Sequence, residues 1–70
     1  MTLIWERSGR AYYATVHEPP DVVRFRAEVE PNGTFWDWSA WRPGESPGAA
    51  RYGVAQTAQE AMRDAERAAG

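Results

Sequence analysis

The sequence predicts an α+β fold: an antiparallel sheet of three to five strands with one C-terminal helix packed on one face. Two observations predict it. Alternating strand-like runs meet at short turns from residue 3 to residue 55, and an alanine-rich stretch with helical spacing follows them. The 70 residues form one small domain, 1–70, in which large side chains must be used well because a chain of this size buries little surface.

The clearest turn signal is Asn32-Gly33, which lies between two alternating runs. Both residue types tolerate the positive φ that a tight hairpin turn requires. The pattern predicts strands over about 22–30 and 34–42. It places apolar pairs on one face, namely Val29 with Trp36, Ala27 with Trp38 and Phe25 with Ala40. A slip of one residue would put Asp37 on that face, so the alternation selects this register.

Two further hairpin elements and a short strand complete the predicted sheet. Ser8-Gly9 predicts a turn between strands of about 3–7 and 10–17. That turn pairs Trp5 with Tyr12, Leu3 with Ala14, and Ile4 with Tyr13. Residues 18–21 contain two prolines and are predicted to connect strands rather than extend one. Residues 43–48 form a loop, and a fifth strand fits about 50–55.

The helix is predicted over about 57–69. Thr57 followed by Glu60 matches a capping box, in which the hydroxyl and the carboxylate satisfy free amides of the first turn. Alanines then recur on one face at helical spacing. Because so short a helix is marginal alone, it must dock on the sheet through these small side chains. The predicted core is Trp5, Tyr12, Phe25, Val29, Trp36, Trp38, Ala61, Met62 and Ala65.

Composition argues against several chemistries. The chain has no cysteine and one histidine, His17, so we expect no disulfide, no metal site and no cofactor. Ser39 and Asp37 are not placed with His17 by any motif, so we predict no catalytic residues and no enzyme. Glu28 and Asp37 are predicted to face each other on the solvent side as an ordinary charge cluster. No apolar run suits a membrane span, and Glu6 interrupts the N-terminal apolar run, so we expect a cytoplasmic protein.

One helix on one sheet leaves the opposite sheet face open. The alternation places Tyr13, Phe35 and Trp41 there, with Arg24 predicted opposite Trp41 as a cation–π pair. Aromatic side chains that cluster on a surface mark a contact site. The sequence therefore predicts a non-enzymatic binding module for a protein partner or a second copy of itself. The predicted binding residues are Tyr13, Arg24, Arg26, Phe35, Trp41 and Arg42.

The segment from Tyr52 to Arg63 resembles the third strand and helix start of AP2-type DNA-binding domains. That family has an aromatic-Leu-Gly run, three residues, then Thr-Ala-x-Glu-Ala, and Gly53 to Thr57 has the matching spacing. Trp38-Ser39-Ala40 is loosely similar to the family's second strand, and residues 36–69 carry the resemblance. The arm-binding domains of phage integrases are related to this family, and the size and outline of the chain also resemble those of many small phage-encoded proteins.

The resemblance implies three strands followed by a helix, with DNA read by arginine and tryptophan on the sheet face away from the helix. In this chain those residues would be Arg24, Arg26, Trp41 and Arg42. The first strand departs from the arginine-rich pattern of the family because it carries Glu28 and Glu30. The net charge of −2 also disfavours nucleic acid as the partner.

Overall fold

The computed structural model describes residues 3–18 and 22–69, and it confirms the α+β fold. The side chains of residues 17, 18, 22–24 and 47 lie outside the description. The elements are β1 (Trp5–Ser8), β2 (Ala11–Glu18), β3 (Val22–Asn32), β4 (Phe35–Trp41), a 3₁₀ turn (Pro47–Ala49), β5 (Arg51–Ala55) and α1 (Ala58–Ala69). The strands form one antiparallel sheet in the order β1-β2-β3-β4-β5. Within the described residues, no helix has the length and apolarity needed to cross a membrane.

The predicted pairing of the β3–β4 hairpin is wrong by two residues. The turn is Gly33-Thr34 rather than Asn32-Gly33, and Gly33 has a φ of 63°. Asn32 instead ends β3 opposite Phe35, and its Nδ2 donates to Asp37 Oδ2 at 3.0 Å. Val29 therefore pairs with Trp38, not Trp36. Ala27 pairs with Ala40, which replaces both the predicted Ala27–Trp38 pair and the predicted Phe25–Ala40 pair.

The first hairpin deviates in the same way. Its turn is Gly9-Arg10, with Gly9 at a φ of 63°, so Trp5 pairs with Ala14 rather than with Tyr12. Ala14 and Tyr13 thus face Trp5 and Glu6 instead of the predicted Leu3 and Ile4. In both hairpins a glycine supplies the positive φ at the first turn position. Moving a turn by one residue shifts the pairing by two, so each side chain stays on its predicted face.

The sheet face that packs against α1, here called the inner face, is crossed by a row of three alanines. Ala14, Ala27 and Ala40 are consecutive cross-strand partners, and we call them the alanine row. Their small side chains leave room for the second half of the helix, whose Ala65 and Ala69 belong to the same buried cluster. Small residues on both surfaces let the helix backbone approach the sheet closely.

The two edge strands hold the helix at the ends of the alanine row. Trp5 on β1 pairs with Ala14, and its Nε1 donates to Glu66 Oε1 at 3.0 Å. Arg51 on β5 pairs with Ala40, and its Nη1 donates to the carbonyl of Ala68 at 2.9 Å. The arginine thus places positive charge at the negative end of the helix dipole. The last turns of α1 are bonded to both edges of the sheet.

The predicted core residues lie in or beside the observed core, but the prediction omits most of the buried alanines. Phe25, Val29, Ala61 and Ala65 are buried as predicted. The other five predicted core residues are half-buried and pack around the buried clusters: Trp5, Tyr12, Trp36, Trp38 and Met62. Seven of the ten buried hydrophobic residues in the described ranges are alanine. Half-buried rings thus surround a centre made mostly of small side chains, and Phe25 is the one buried ring in the described ranges.

The N-terminus of α1 carries the hydroxyl half of the predicted capping box. Thr57 Oγ1 accepts a hydrogen bond from the Glu60 amide at 3.1 Å, and α1 begins one residue after Thr57. We expect Thr57→Ala to lower the free energy of unfolding by about 1 kcal/mol, since one helix amide loses its partner. The measurement is the urea midpoint. Thr57→Ser keeps the oxygen and should remain near wild type, so an equal loss in both variants would contradict the cap.

Candidate binding surface

The sheet face opposite α1, here called the outer face, is defined by the observed register. One row across it joins Tyr13, Glu28, Ser39 and Tyr52 as successive cross-strand partners. The neighbouring rows join Thr15, Arg26 and Trp41 on one side and Glu30, Asp37 and Val54 on the other. Glu6 faces Tyr13 from β1. Among the described contacts between elements, α1 packs on β3, β4 and β5 from the inner side, so the helix leaves this face open.

Three of the predicted binding residues come together at one end of the outer face. Tyr13, Arg26 and Trp41 line a shallow cavity of about 140 Å³, the Trp41 pocket, together with Thr15 and Glu28. Arg26 is the cross-strand partner of Trp41, so the predicted pairing of Arg24 with Trp41 is wrong by the same two residues as the rest of the hairpin. The register change thus exchanges one arginine for another on the same strand face.

The other three predicted residues do not join this pocket. Phe35 is exposed at the opposite end of β4, and six residues at about 3.3 Å each separate it from Trp41 by roughly 20 Å. Arg42 lies beyond β4, where its Nε is 3.6 Å from Glu45 Oε1. Arg24 lies in β3, but its side chain is outside the described residues. The outer aromatic residues are therefore spread over the face and do not form one patch.

β5 also contributes to this surface, although its residues were not among the predicted binding residues. Tyr52 is 80% exposed and Val54 is 60% exposed, and both point to the outer side. The alternation of this strand carries the signal: its small residues, Gly53 and Ala55, lie on the helix side, and Tyr52 and Val54 lie on the other.

A second cavity lies between β5 and the centre of the face. It has a volume of about 280 Å³, and we call it the β5 pocket. Three acidic side chains line it, Glu28, Glu30 and Asp37, together with the exposed apolar side chains of Tyr52 and Val54. Ser39 and parts of Trp38 and Gly53 complete the lining. Glu30 and Asp37 are cross-strand partners, whereas Glu28 faces Ser39, which corrects the predicted Glu28–Asp37 pair.

The charge of the outer face is negative. Four acidic residues, Glu6, Glu28, Glu30 and Asp37, share the described part of it with a single described basic side chain, Arg26. Within residues 3–18 and 22–69, no three histidine or acidic side chains lie close enough together to hold a metal ion. The acidic residues of the β5 pocket therefore line its wall without converging on one point.

The chemistry of the face has to be inferred from its own residues, since comparisons of the chain with protein-family models, curated proteins and solved structures found no match. The described residues of this face include exposed aromatic rings, carboxylates and one arginine, all carried by the strands of the sheet. His17, the single histidine, has its side chain outside the described residues. Ser39 and Asp37 lie on the same face of β4 and both line the β5 pocket.

Proposed function

We propose that this chain is a small, non-enzymatic binding module that uses the outer face of its sheet to bind a protein partner. One observation carries the proposal. Of the five large hydrophobic residues that are exposed in the described ranges, four lie on the outer face: Tyr13, Phe35, Tyr52 and Val54. Although the four do not form one patch, Tyr52 and Val54 line one cavity of this face and Tyr13 lines the other, each beside polar groups, as at interaction surfaces.

The character of the polar groups supports binding over catalysis. In the described residues, no polar or charged side chain is buried. Catalytic acids and bases work from desolvated positions where neighbouring groups shift their protonation. Both outer-face cavities are instead shallow, with carboxylates on a surface that water reaches. Such groups select a partner by charge.

The charge of the outer face favours a segment of another protein over a second copy of this chain. Two outer faces would bring four acidic residues and one arginine against the same set, which repel. We expect a monomer in sedimentation equilibrium; a dimer that Tyr13→Ser removes would instead assign self-association.

DNA binding is a second candidate because Arg26 lies directly beside Trp41, a pairing of cation and ring that can contact phosphates and bases. The surrounding acidic residues oppose it. A titration with duplex DNA at two salt concentrations separates the two functions. Counterion release makes phosphate binding weaken steeply with salt. We expect no salt-dependent binding, and a steep slope that Arg26→Gln reduces would support DNA as the ligand.

Selection from a displayed library of random peptides tests protein binding without a known partner. We expect wild-type protein to enrich peptides that the double variant Tyr13→Ser/Phe35→Ser no longer retains, because the exposed rings supply apolar contact area. Gln59→Ser and Arg63→Ser lie on the exposed side of α1 and serve as controls that should retain the same peptides. Enrichment that survives in the double variant and fails in the helix controls would place binding on the helix and contradict the proposal.

A further inference from the structure

The β5 pocket has two walls of different chemistry. Glu28, Glu30 and Asp37 form the side towards the centre of the sheet, and Tyr52 and Val54 form the side towards its edge. Phe35 is the diagonal neighbour of Val54 across β4 and β5, so the apolar side continues to the end of the sheet. An occupant of this cavity meets carboxylates on one flank and an aromatic and aliphatic rim on the other.

The carboxylates and the apolar rim of the β5 pocket suit a cationic and partly apolar occupant. A second copy would bring acidic residues against acidic residues, and a phosphate backbone would meet the same repulsion. The carboxylates do not converge as metal ligands do. An extended organic cation can contact carboxylates that are spread along a wall while its carbon chain covers apolar surface.

We infer that the β5 pocket binds an arginine side chain of the partner protein, presented by a segment with apolar residues beside it. This inference rests on the proposed function and names the chemistry of its partner. The planar guanidinium can donate to two carboxylates at once from its fixed fork of N–H groups. The same plane stacks on an aromatic ring, and the exposed ring of Tyr52 lies on the facing wall. The apolar neighbours of the arginine then cover Val54 and Phe35.

A series of synthetic peptides tests the inference on wild-type protein. In the parent peptide, arginine alternates with valine; in the others, lysine, citrulline or glutamate replaces arginine. We expect the arginine peptide to bind tightest and lysine to bind more weakly, because an ammonium lacks the fork and the plane. Citrulline keeps the shape without the charge, so it and the glutamate peptide should show no saturable binding. Amide chemical shifts should change in β4 and β5, at Ser39, Gly53 and Val54.

Matched variants of the protein test which carboxylates act. Glu28→Gln and Glu30→Gln should each weaken the arginine peptide by about twofold to fivefold, as expected for exposed charge pairs. Glu6→Gln removes the same charge from the same face but lies on β1, outside the pocket, so it should bind like wild type. Tyr52→Phe should keep the stacking surface, whereas Tyr52→Ser should lose it and bind several-fold more weakly.

The outcomes separate this inference from the proposed function. Equal binding of the citrulline and arginine peptides, or equal losses in Glu6→Gln and Glu30→Gln, would overturn the arginine site. Acidic or neutral ligands selected from the library that still need Tyr13 and Phe35 would overturn it and leave the binding module intact. If duplex DNA changed the amide chemical shifts of Gly53 and Val54 and the arginine peptide changed none, both the arginine site and the proposed protein-binding function would be overturned.

Discussion

Replacing Ala65 with leucine should lower the free energy of unfolding by about 2 kcal/mol, because it inserts three carbons into a filled contact. Ala65 has no exposed surface and belongs to the buried cluster that contains the alanine row. A domain of this size has a total stability of roughly 4–10 kcal/mol. The loss should therefore lower the melting temperature by on the order of 10 °C.

The measurement is thermal and urea unfolding followed by circular dichroism. Gln59→Leu is the matched control, since it adds a leucine to the exposed side of the same helix and should stay close to wild type. If Ala65→Leu were as stable as wild type, the close approach of helix and sheet would be wrong. The outer face should be unaffected in either variant, because α1 packs on the other side of the sheet.

Gly53→Ala should be the other strongly destabilising substitution, with a loss of about 1–2 kcal/mol. Trp38 is the cross-strand partner of Gly53, and its indole lies over the glycine. A Cβ on Gly53 would stand 2.8 Å from Trp38 Nε1 and 2.9 Å from its Cε2. The indole would have to leave its position against α1, where it is half-buried with the core clusters.

Gly48→Ala controls for the backbone effect of losing a glycine. No atom lies within 4 Å of a Cβ built at Gly48, so this variant should be neutral or slightly stabilising. Trp38→Phe should relieve the contact, so Gly53→Ala should cost less in that background than in wild type. A double-mutant cycle with no coupling between the two positions would show that the indole does not limit residue 53.

Two positions of the AP2 resemblance have a local role in this chain. The Trp38 indole lies against Gly53, and Thr57 caps α1. Of the residues to which the resemblance assigns DNA contacts, Arg26 and Trp41 are cross-strand partners, whereas Arg42 lies beyond β4. The resemblance itself stays a prediction.

The sequence determined the element types and the faces of the strands. Alternation with a period of two specified which side each residue takes, and the helix cap and spacing specified α1, since these are local properties of the chain. Each predicted turn lies one residue before the observed one. Asn32 and Gly33 can both occupy a turn, so the position of the turn depends on which conformation the paired strands favour. This error changed the predicted cross-strand partners by two residues and left each side chain on its predicted face of the sheet.

Tertiary structure alone decided what lies beside what. Strand order placed Glu30 and Asp37 beside Val54 and Tyr52, which makes the β5 pocket from three strands. The packing of helix on sheet buries mostly alanines and leaves most of the rings half-buried at the margin, a distinction that hydrophobicity alone does not make. The physical reason is that a side chain's face is set by its own backbone, whereas its neighbours are set by pairing and packing between distant segments.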